Sequence, residues 1–214
     1  MPKPKVHIYL LSRLVFADAT DWQNILKQLR QGRRSMYWTY KPLRQGAFQM
    51  ALRKDADNKA IYNEVGALAG KAGGDRCRRA NVAALEKFEG RFLPKIQKAK
   101  VSFMQGHEQP VDFGEVQLIG GPHFSVLDGD GQEKWIYLHP SKWTDEETIA
   151  FCELLTVVGE KRFKANARDI WFLDLRTGEK IHWTTSKKLV RRKCEKAAEF
   201  LVALQAADLA EDEN

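Results

Sequence analysis

The sequence predicts an α/β fold in which a central mixed sheet is flanked by helices and preceded by a helical, basic N-terminal region. Three observations predict it. Apolar residues keep helical spacing from Asn81 to Ile96, two apolar runs flank Asp128-Gly129-Asp130-Gly131, and a strand pattern separates two further helical patterns after Thr144.

After a polar MPKPK start, Val6 to Phe16 reads as a strand or a short helix. Asp18, Thr20 and Asp21 then offer caps for a helix through Trp22, Ile25, Leu26 and Leu29, an i, i+3, i+4, i+7 series. The following stretch interleaves Met36, Tyr37, Trp38 and Tyr40 with Arg33, Arg34, Lys41 and Arg44. It reads either as a buried aromatic strand and turn or as a surface on which bases stack amid cations. Residues 69–76, AGKAGGDR, form a glycine-rich break without the GxxxxGK[ST] order of a phosphate loop.

Asn81 is expected to cap a helix carrying Val82, Leu85, Phe88, Phe92, Leu93 and Ile96, with Pro94 kinking its end. From Val111 the pattern turns to strands: FGEVQLIG, then HFSVLDGDGQEKWIYLH, a hairpin around DGDG. A calcium loop fails there, because Glu133 and His139 occupy the positions that need glycine and glutamate. Thr144 opens a helix through Ile149, Leu154, Leu155 and Val158, with Asp145, Glu146 and Glu147 at the positive end of its dipole. The segment ARDIWFLDLRTGEKIHW holds a strand, a Thr-Gly turn and a second short run, after which Ser186 caps a last helix with Leu189, Cys194, Ala197, Leu201 and Leu204 available for a core.

The 214 residues amount to one large or two small domains, and 43% hydrophobic with 29% charged residues exclude collagen-like, mucin-like and wholly disordered chains. No apolar run approaches the length of a membrane-spanning helix. VHIYLLSRLVF is interrupted by His7 and Arg13 and is followed by no small-residue cleavage site, so a cytoplasmic protein is expected. Cys77, Cys152 and Cys194 are odd in number and far apart, which leaves neither a disulfide framework nor a CxxC metal knuckle. Cys152 and Cys194 fall in apolar helical patterns and read as structural.

Charge is distributed in blocks. Residues 1–70 carry a net +7, residues 71–104 +6, residues 105–185 −6, residues 186–196 +5, and residues 197–214 only acids. Three parts follow: a basic, aromatic N-terminal region over 1–70, an α/β core over 71–206 and an acidic tail over 207–214. The densest cationic patch is Lys187, Lys188, Arg191, Arg192 and Lys193. With Arg33, Arg34, Arg76, Arg78 and Arg79 it forms the candidate surface for neutralising phosphates.

The order helix, strand, hairpin, helix, strand, helix from Asn81 onward resembles the core of the PD-(D/E)XK nuclease superfamily, RecB-like branch, over about the last two thirds of the chain. In that family Gly-x-x-Asp leads through a hairpin to (Asp/Glu)-x-Lys, beside a helix carrying Gln and Tyr; the acids hold magnesium and the lysine assists the attacking water. Here Gly120-Gly121-Pro122-His123 stands at the first position, and Tyr137 and His139 stand for the acid and the lysine. Glu147 and Phe151 occupy the Gln and Tyr spacing. Imidazole and phenol serve magnesium poorly, so the resemblance implies a catalytically silent member without a cofactor or metal.

The expected activity is therefore non-catalytic nucleic-acid binding, with DNA ahead of RNA as the partner and no membrane association. A protein-interaction subunit of a larger nucleic-acid-processing complex is the second reading, with the Tyr37, Trp38 and Tyr40 segment as its interface. A divalent-metal nuclease using displaced acids, Asp128, Asp130 and Glu133, is the third. Zinc held by His123 and His139 with Cys152 or His182 is chemically reasonable, but these ligands lack paired spacing.

Overall fold

The computed structural model describes residues 3–18, 20, 22–24, 40–53, 57–103, 109–140, 143–181, 183 and 187–212. It is an α/β structure built on a five-stranded mixed sheet. The sheet contains β2 (Ile96–Phe103), β5 (Phe124–Asp128), β6 (Glu133–His139), β7 (Ile170–Asp174) and β8 (Glu179–Ile181), in the order β2-β5-β6-β7-β8. Neighbours are antiparallel except β6 and β7, which run parallel because α4 (Asp145–Phe163) carries the chain back between them. A second sheet joins β1 (Lys5–His7), β4 (Val116–Ile119) and β3 (Val111–Phe113), with β1 parallel to β4.

Side chains alternate along each strand and so divide the buried apolar residues of β5, β6 and β7 between two cores. Phe124, Val126, Ile136, Leu138, Trp171 and Leu173 face α2 (Lys41–Leu52) and α3 (Asn58–Arg91). Tyr137, Ile170 and Phe172 face the other way, into a core shared with α1 (Ile8–Leu14), α4, α5 (Lys188–Asp212) and the small sheet. Burial on both faces explains the unbroken apolar run of β7. The middle of α4, from Ala150 to Gly159, is buried all round, and its start carries the full Thr144–Glu147 capping box.

The chain of α3 folds back on itself at Gly73 and Gly74, where Gly74 takes φ 71°, a left-handed backbone open to glycine. Its two arms then lie antiparallel. The Asn58 amide and the Tyr62 hydroxyl both donate to Glu89, the latter at 2.5 Å, and Gly66 faces Arg78 and Val82. The glycine-rich break is thus the turn of a helical hairpin. α2 crosses this hairpin at Gly46, where a Cβ would come within 2.5 Å of Val65 Cγ2.

Several sequence expectations change for identifiable reasons. Asn81 lies inside the second arm of α3 rather than at its start. Its Oδ1 accepts the Leu43 N–H at 3.1 Å, serving an open donor in the first turn of α2, while its amide donates to the Cys77 carbonyl at 2.9 Å. Pro94 ends the helix: a 3-10 turn over Leu93–Lys95 intervenes, and Ile96 begins β2, a strand that the continuing apolar spacing disguises as helix. Both readings of Val6 to Phe16 hold in succession, a three-residue strand and then a short helix. The division expected at residue 70 falls inside the first arm of the α3 hairpin. Because β1 pairs with β4 and α1 packs into the second core, the N-terminal segment is built into the body of the protein. The helix of α5 continues to Asp212, past the boundary expected at 207. Ile25, Leu26 and Leu29 lie outside the described residues.

The junction of β1 and α1 makes stability depend on pH. His7 Nδ1 accepts the Tyr9 N–H at 3.2 Å, and Gly120, at φ 104°, packs against the imidazole so closely that a Cβ would lie 3.1 Å from Cε1. Burial, and secondarily the charge of Arg44, lower the His7 pKa to about 4. The unfolded chain therefore takes up this proton near pH 6.5 while the native state does not. The stability at stake is present above pH 6.5 and is lost as pH falls toward 4, up to roughly 3 kcal/mol. Urea denaturation at pH 7 and pH 5 should show this loss in the native chain. His7→Asn, which keeps an acceptor for Tyr9 and removes the titration, should flatten the difference; an unchanged slope in the variant would assign the effect elsewhere.

Candidate nucleic-acid interface

The three positions aligned with a nuclease centre come together, but as packed interior. His123 is buried at the entry to β5; its N–H donates to the Ile136 carbonyl, and its Nδ1 accepts the Leu138 N–H at 3.1 Å. Accepting at Nδ1 leaves the ring proton on Nε2. Tyr137 lies tilted at 4.4 Å from His123 and at 4.6 Å from Phe151, and stacks on Phe172 at 5.6 Å. His139 lies 4.1 Å from Trp143 and 5.1 Å from Phe172. Glu147 is occupied by its capping box and by Arg13 at 3.3 Å. These rings fill the space where oxygen ligands would hold a hard cation.

The displaced acids build a turn. Asp128 Oδ1 accepts the N–H groups of Asp130 and Gln132, and its Oδ2 lies 4.0 Å from Lys134 Nζ, itself 2.9 Å from Asp169. Burial works to raise the Asp169 pKa, but hydrogen bonds from Lys134 and Asn166 outweigh it and hold the carboxyl below its ordinary value. Asp130 and Glu133 are exposed. Burial first, and Glu153 second, push the Cys152 and Cys194 thiols up to about 12, so both stay protonated near neutral pH and neither is a nucleophile. Among the described residues no group of three or more His, Cys, Asp or Glu is arranged to hold a metal ion; His182 lies outside them.

The cations of the α5 segment divide by what they touch. Arg191 is internal in function: its Nε lies 2.7 Å from Glu153, whose side chain is 0% exposed, and its Nη2 lies 3.2 Å from Glu160. Glu153 also accepts the Lys187 N–H at 2.8 Å, so one buried carboxylate anchors the start of α5 to α4. Lys187 Nζ sits 4.9 Å from the Trp183 ring, and Lys193 Nζ lies 5.0 Å from the Phe16 ring. Lys188 and Arg192 are exposed. Arg33 and Arg34, with Tyr37 and Trp38, lie outside the described residues, whereas Tyr40 immediately precedes α2.

On α3, Arg78 pairs with Asp75 at 3.2 Å, while Arg76 and Arg79 stand on the exposed side of the second arm. Helical spacing extends that side to Lys87 and Arg91, also exposed, with Ala80, Ala83 and Gly90 between the cations. From Arg76 to Arg91 the face runs about 22 Å, with exposed Glu86, seven residues past Arg79, at its groove edge. None of its four cations enters an ion pair among the described residues. A Cβ at Gly90 would meet nothing within 4 Å, so the face is open there.

The positive surface continues onto the sheet. Gly178, in the β7–β8 turn, lies against Arg91 and Lys87, with a Cβ there 3.2 Å from Arg91 Cγ. Lys180 on β8 lays its ammonium 4.6 Å from the Trp171 ring. Burial, then the charges of Lys95 and Lys134, lower the Lys180 pKa, which places those two lysines within its electrostatic reach. Lys87, Arg91 and Lys180 are absent from the sequence-level candidates. The signal for Lys87 and Arg91 is the i, i+4, i+8, i+12 series of Arg79, Ala83, Lys87 and Arg91, visible once the buried side of the arm is known.

A groove of about 650 Å³ borders this face between the two arms, lined by Tyr62, Asn63, Gly66, Val82, Arg79 and Glu86 among others. Because α3 and α5 belong to the cores on opposite sides of the five-stranded sheet, α5 packing there against α4, α1 and β4, their cations form two separate patches instead of the single convergent one that binding by both would need. No known protein family, curated protein or solved structure matches the chain.

Proposed function

We propose that this chain is a cytoplasmic, non-catalytic nucleic-acid-binding protein that holds the phosphodiester backbone against the second arm of α3. The observation that carries the reading is the exposed face of Arg76, Arg79, Lys87 and Arg91, four cations in no ion pair among the described residues, with Glu86 at its groove edge and with intervening alanines and glycine that allow a polyanion to approach closely. Such contacts neutralise phosphates with little choice of base sequence. Support for the absence of catalysis comes from the rings of Tyr137, Phe151, Phe172 and Trp143 that enclose the aligned positions. The nuclease resemblance enters as ancestry of the fold alone. Among the described residues no helix is long and apolar enough to cross a membrane.

Fluorescence anisotropy with labelled duplex DNA, then RNA, across a salt series tests the reading. The native chain is expected to lose affinity steeply with salt. Replacing Arg76, Arg79, Lys87 and Arg91 together by Gln should lower the slope of log K against log salt by about 3 to 4 and weaken binding at low salt at least tenfold. Binding that is absent at low salt, independent of salt, or untouched by the fourfold replacement would overturn it.

A further inference from the structure

The helix α5 is charged in the reverse of the order its own dipole favours. Its first part holds Lys188, Arg191, Arg192, Lys193 and Lys196 against Glu195, and the part from Ala197 onward holds only acids. Helix N-termini favour anions and C-termini favour cations, yet the first turn of α5 has no acid and its last turn no base. Arg191 is compensated by Glu153 and Glu160, but Lys188, Arg192 and Lys196 are exposed.

The same helix presents large apolar side chains to solvent. Leu189 is 69% exposed and Phe200 50%, the two most exposed large hydrophobics among the described residues. Leu189, Lys193, Lys196 and Phe200 follow one another at intervals of four, three and four, the spacing of a single seam along a helix. The aliphatic stem of Lys193 fills its place in that seam, since its ammonium lies over Phe16, and Trp22 meets Phe200 edge-on at 4.8 Å while leaving half of it open.

We propose that α5 pairs antiparallel with α5 of a second copy of this chain. With Phe200 near the two-fold axis, the basic half of each helix lies along the acidic half of the other, so the charge match is made twice by one isologous contact. The pairing also brings acids beside each helix N-terminus and cations beside each C-terminus, which corrects the reversed order. A parallel arrangement would set like charges side by side. At 25 residues, about 38 Å, the helix is long enough for both halves to engage. This surface lies on the face of the large sheet opposite α3, so the inference stands independently of the nucleic-acid reading.

Sedimentation equilibrium of the full chain tests it. A species of twice 24.5 kDa is expected at low salt, dissociating as salt rises. Phe200→Asp should shift the protein to the single-chain mass. The charge reversals K188E/R192E/K196E and E199K/D208K/E211K should each abolish pairing alone, and mixing them should restore a two-chain species containing one of each. Far-UV circular dichroism and thermal melting, unchanged in each variant, separate loss of pairing from loss of fold, and Leu189→Ser replaces any variant that melts early. A native chain that stays at 24.5 kDa across the concentration range overturns the proposal, as does a pair that survives the reversals.

Discussion

Replacing Arg191 by methionine should destabilise the protein by roughly 3–5 kcal/mol, because it takes a charged hydrogen-bond partner away from a buried carboxylate. The Glu153 side chain is 0% exposed, and the replacement removes the guanidinium that lies 2.7 Å from this carboxylate inside the core, where it also accepts the Lys187 N–H. For a chain of this length that cost corresponds to a melting temperature lower by about 10 °C. Arg192→Met, one residue along on the exposed side, should change stability by less than about 0.5 kcal/mol. Adding Glu153→Gln to the Arg191→Met chain should recover part of the loss, since the amide removes the buried charge and still accepts from Lys187. Melting of Arg191→Met within about 2 °C of the native protein would mean that other groups compensate Glu153 and that the Arg191 pair is not what holds α5 to α4. The comparison also separates two roles that look alike in the sequence: Arg191 belongs to the architecture, and its neighbours are the ones available to a ligand.

The second large effect is expected where the nuclease resemblance would have the chemistry. Restoring the family's acids with His123→Asp and Tyr137→Glu should produce no magnesium- or manganese-dependent cleavage and should cost about 4 kcal/mol or more. Tyr137 is 8% exposed and packs against His123, Phe151 and Phe172, so truncating it opens a cavity while its replacement introduces a charge without a counter-charge. The pH dependence carries a definite sign. A glutamate buried among rings has its folded pKa raised above the unfolded value near 4.3, so the variant's penalty is smallest below that value and grows as pH rises through neutrality. Denaturation of Tyr137→Glu at pH 4 and pH 8 should therefore diverge from the native chain most at pH 8. Divalent-metal stabilisation of the doubly restored variant, or cleavage by it, would show that the rings can yield to a metal and would return the displaced-nuclease reading.

The elements that could be read from residues alone are those specified within a few positions. The DGDG hairpin, the Thr144 cap and the Thr-Gly turn depend on neighbours in the chain and stand where their turn and cap residues place them; the last helix forms as its apolar spacing predicts, while Ser186, its expected cap, lies outside the described residues. β2 escaped, and β1 stayed ambiguous between strand and helix, for the opposite reason. β2 owes its identity to pairing with β5, and the three residues of β1 are held by β4 more than a hundred positions away. Asn81 shows the same limit in one side chain: its residue type announces a cap, and the helix it serves is α2, 38 positions back in sequence.

For function the division is sharper. Composition and charge order, including the reversal along α5 and the missing acids at His123 and Tyr137, are properties of the sequence and hold in any conformation. Tertiary structure alone decided which cations are engaged, because their partners arrive from distant elements: Glu153 and Glu160 from α4 for Arg191, and the Phe16 ring for the still exposed Lys193. It also separated the two basic patches by the thickness of a sheet and extended one of them to Lys87, Arg91 and Lys180. Charge is written residue by residue, whereas its availability depends on burial and on long-range partners, and these exist only once the chain has closed on itself.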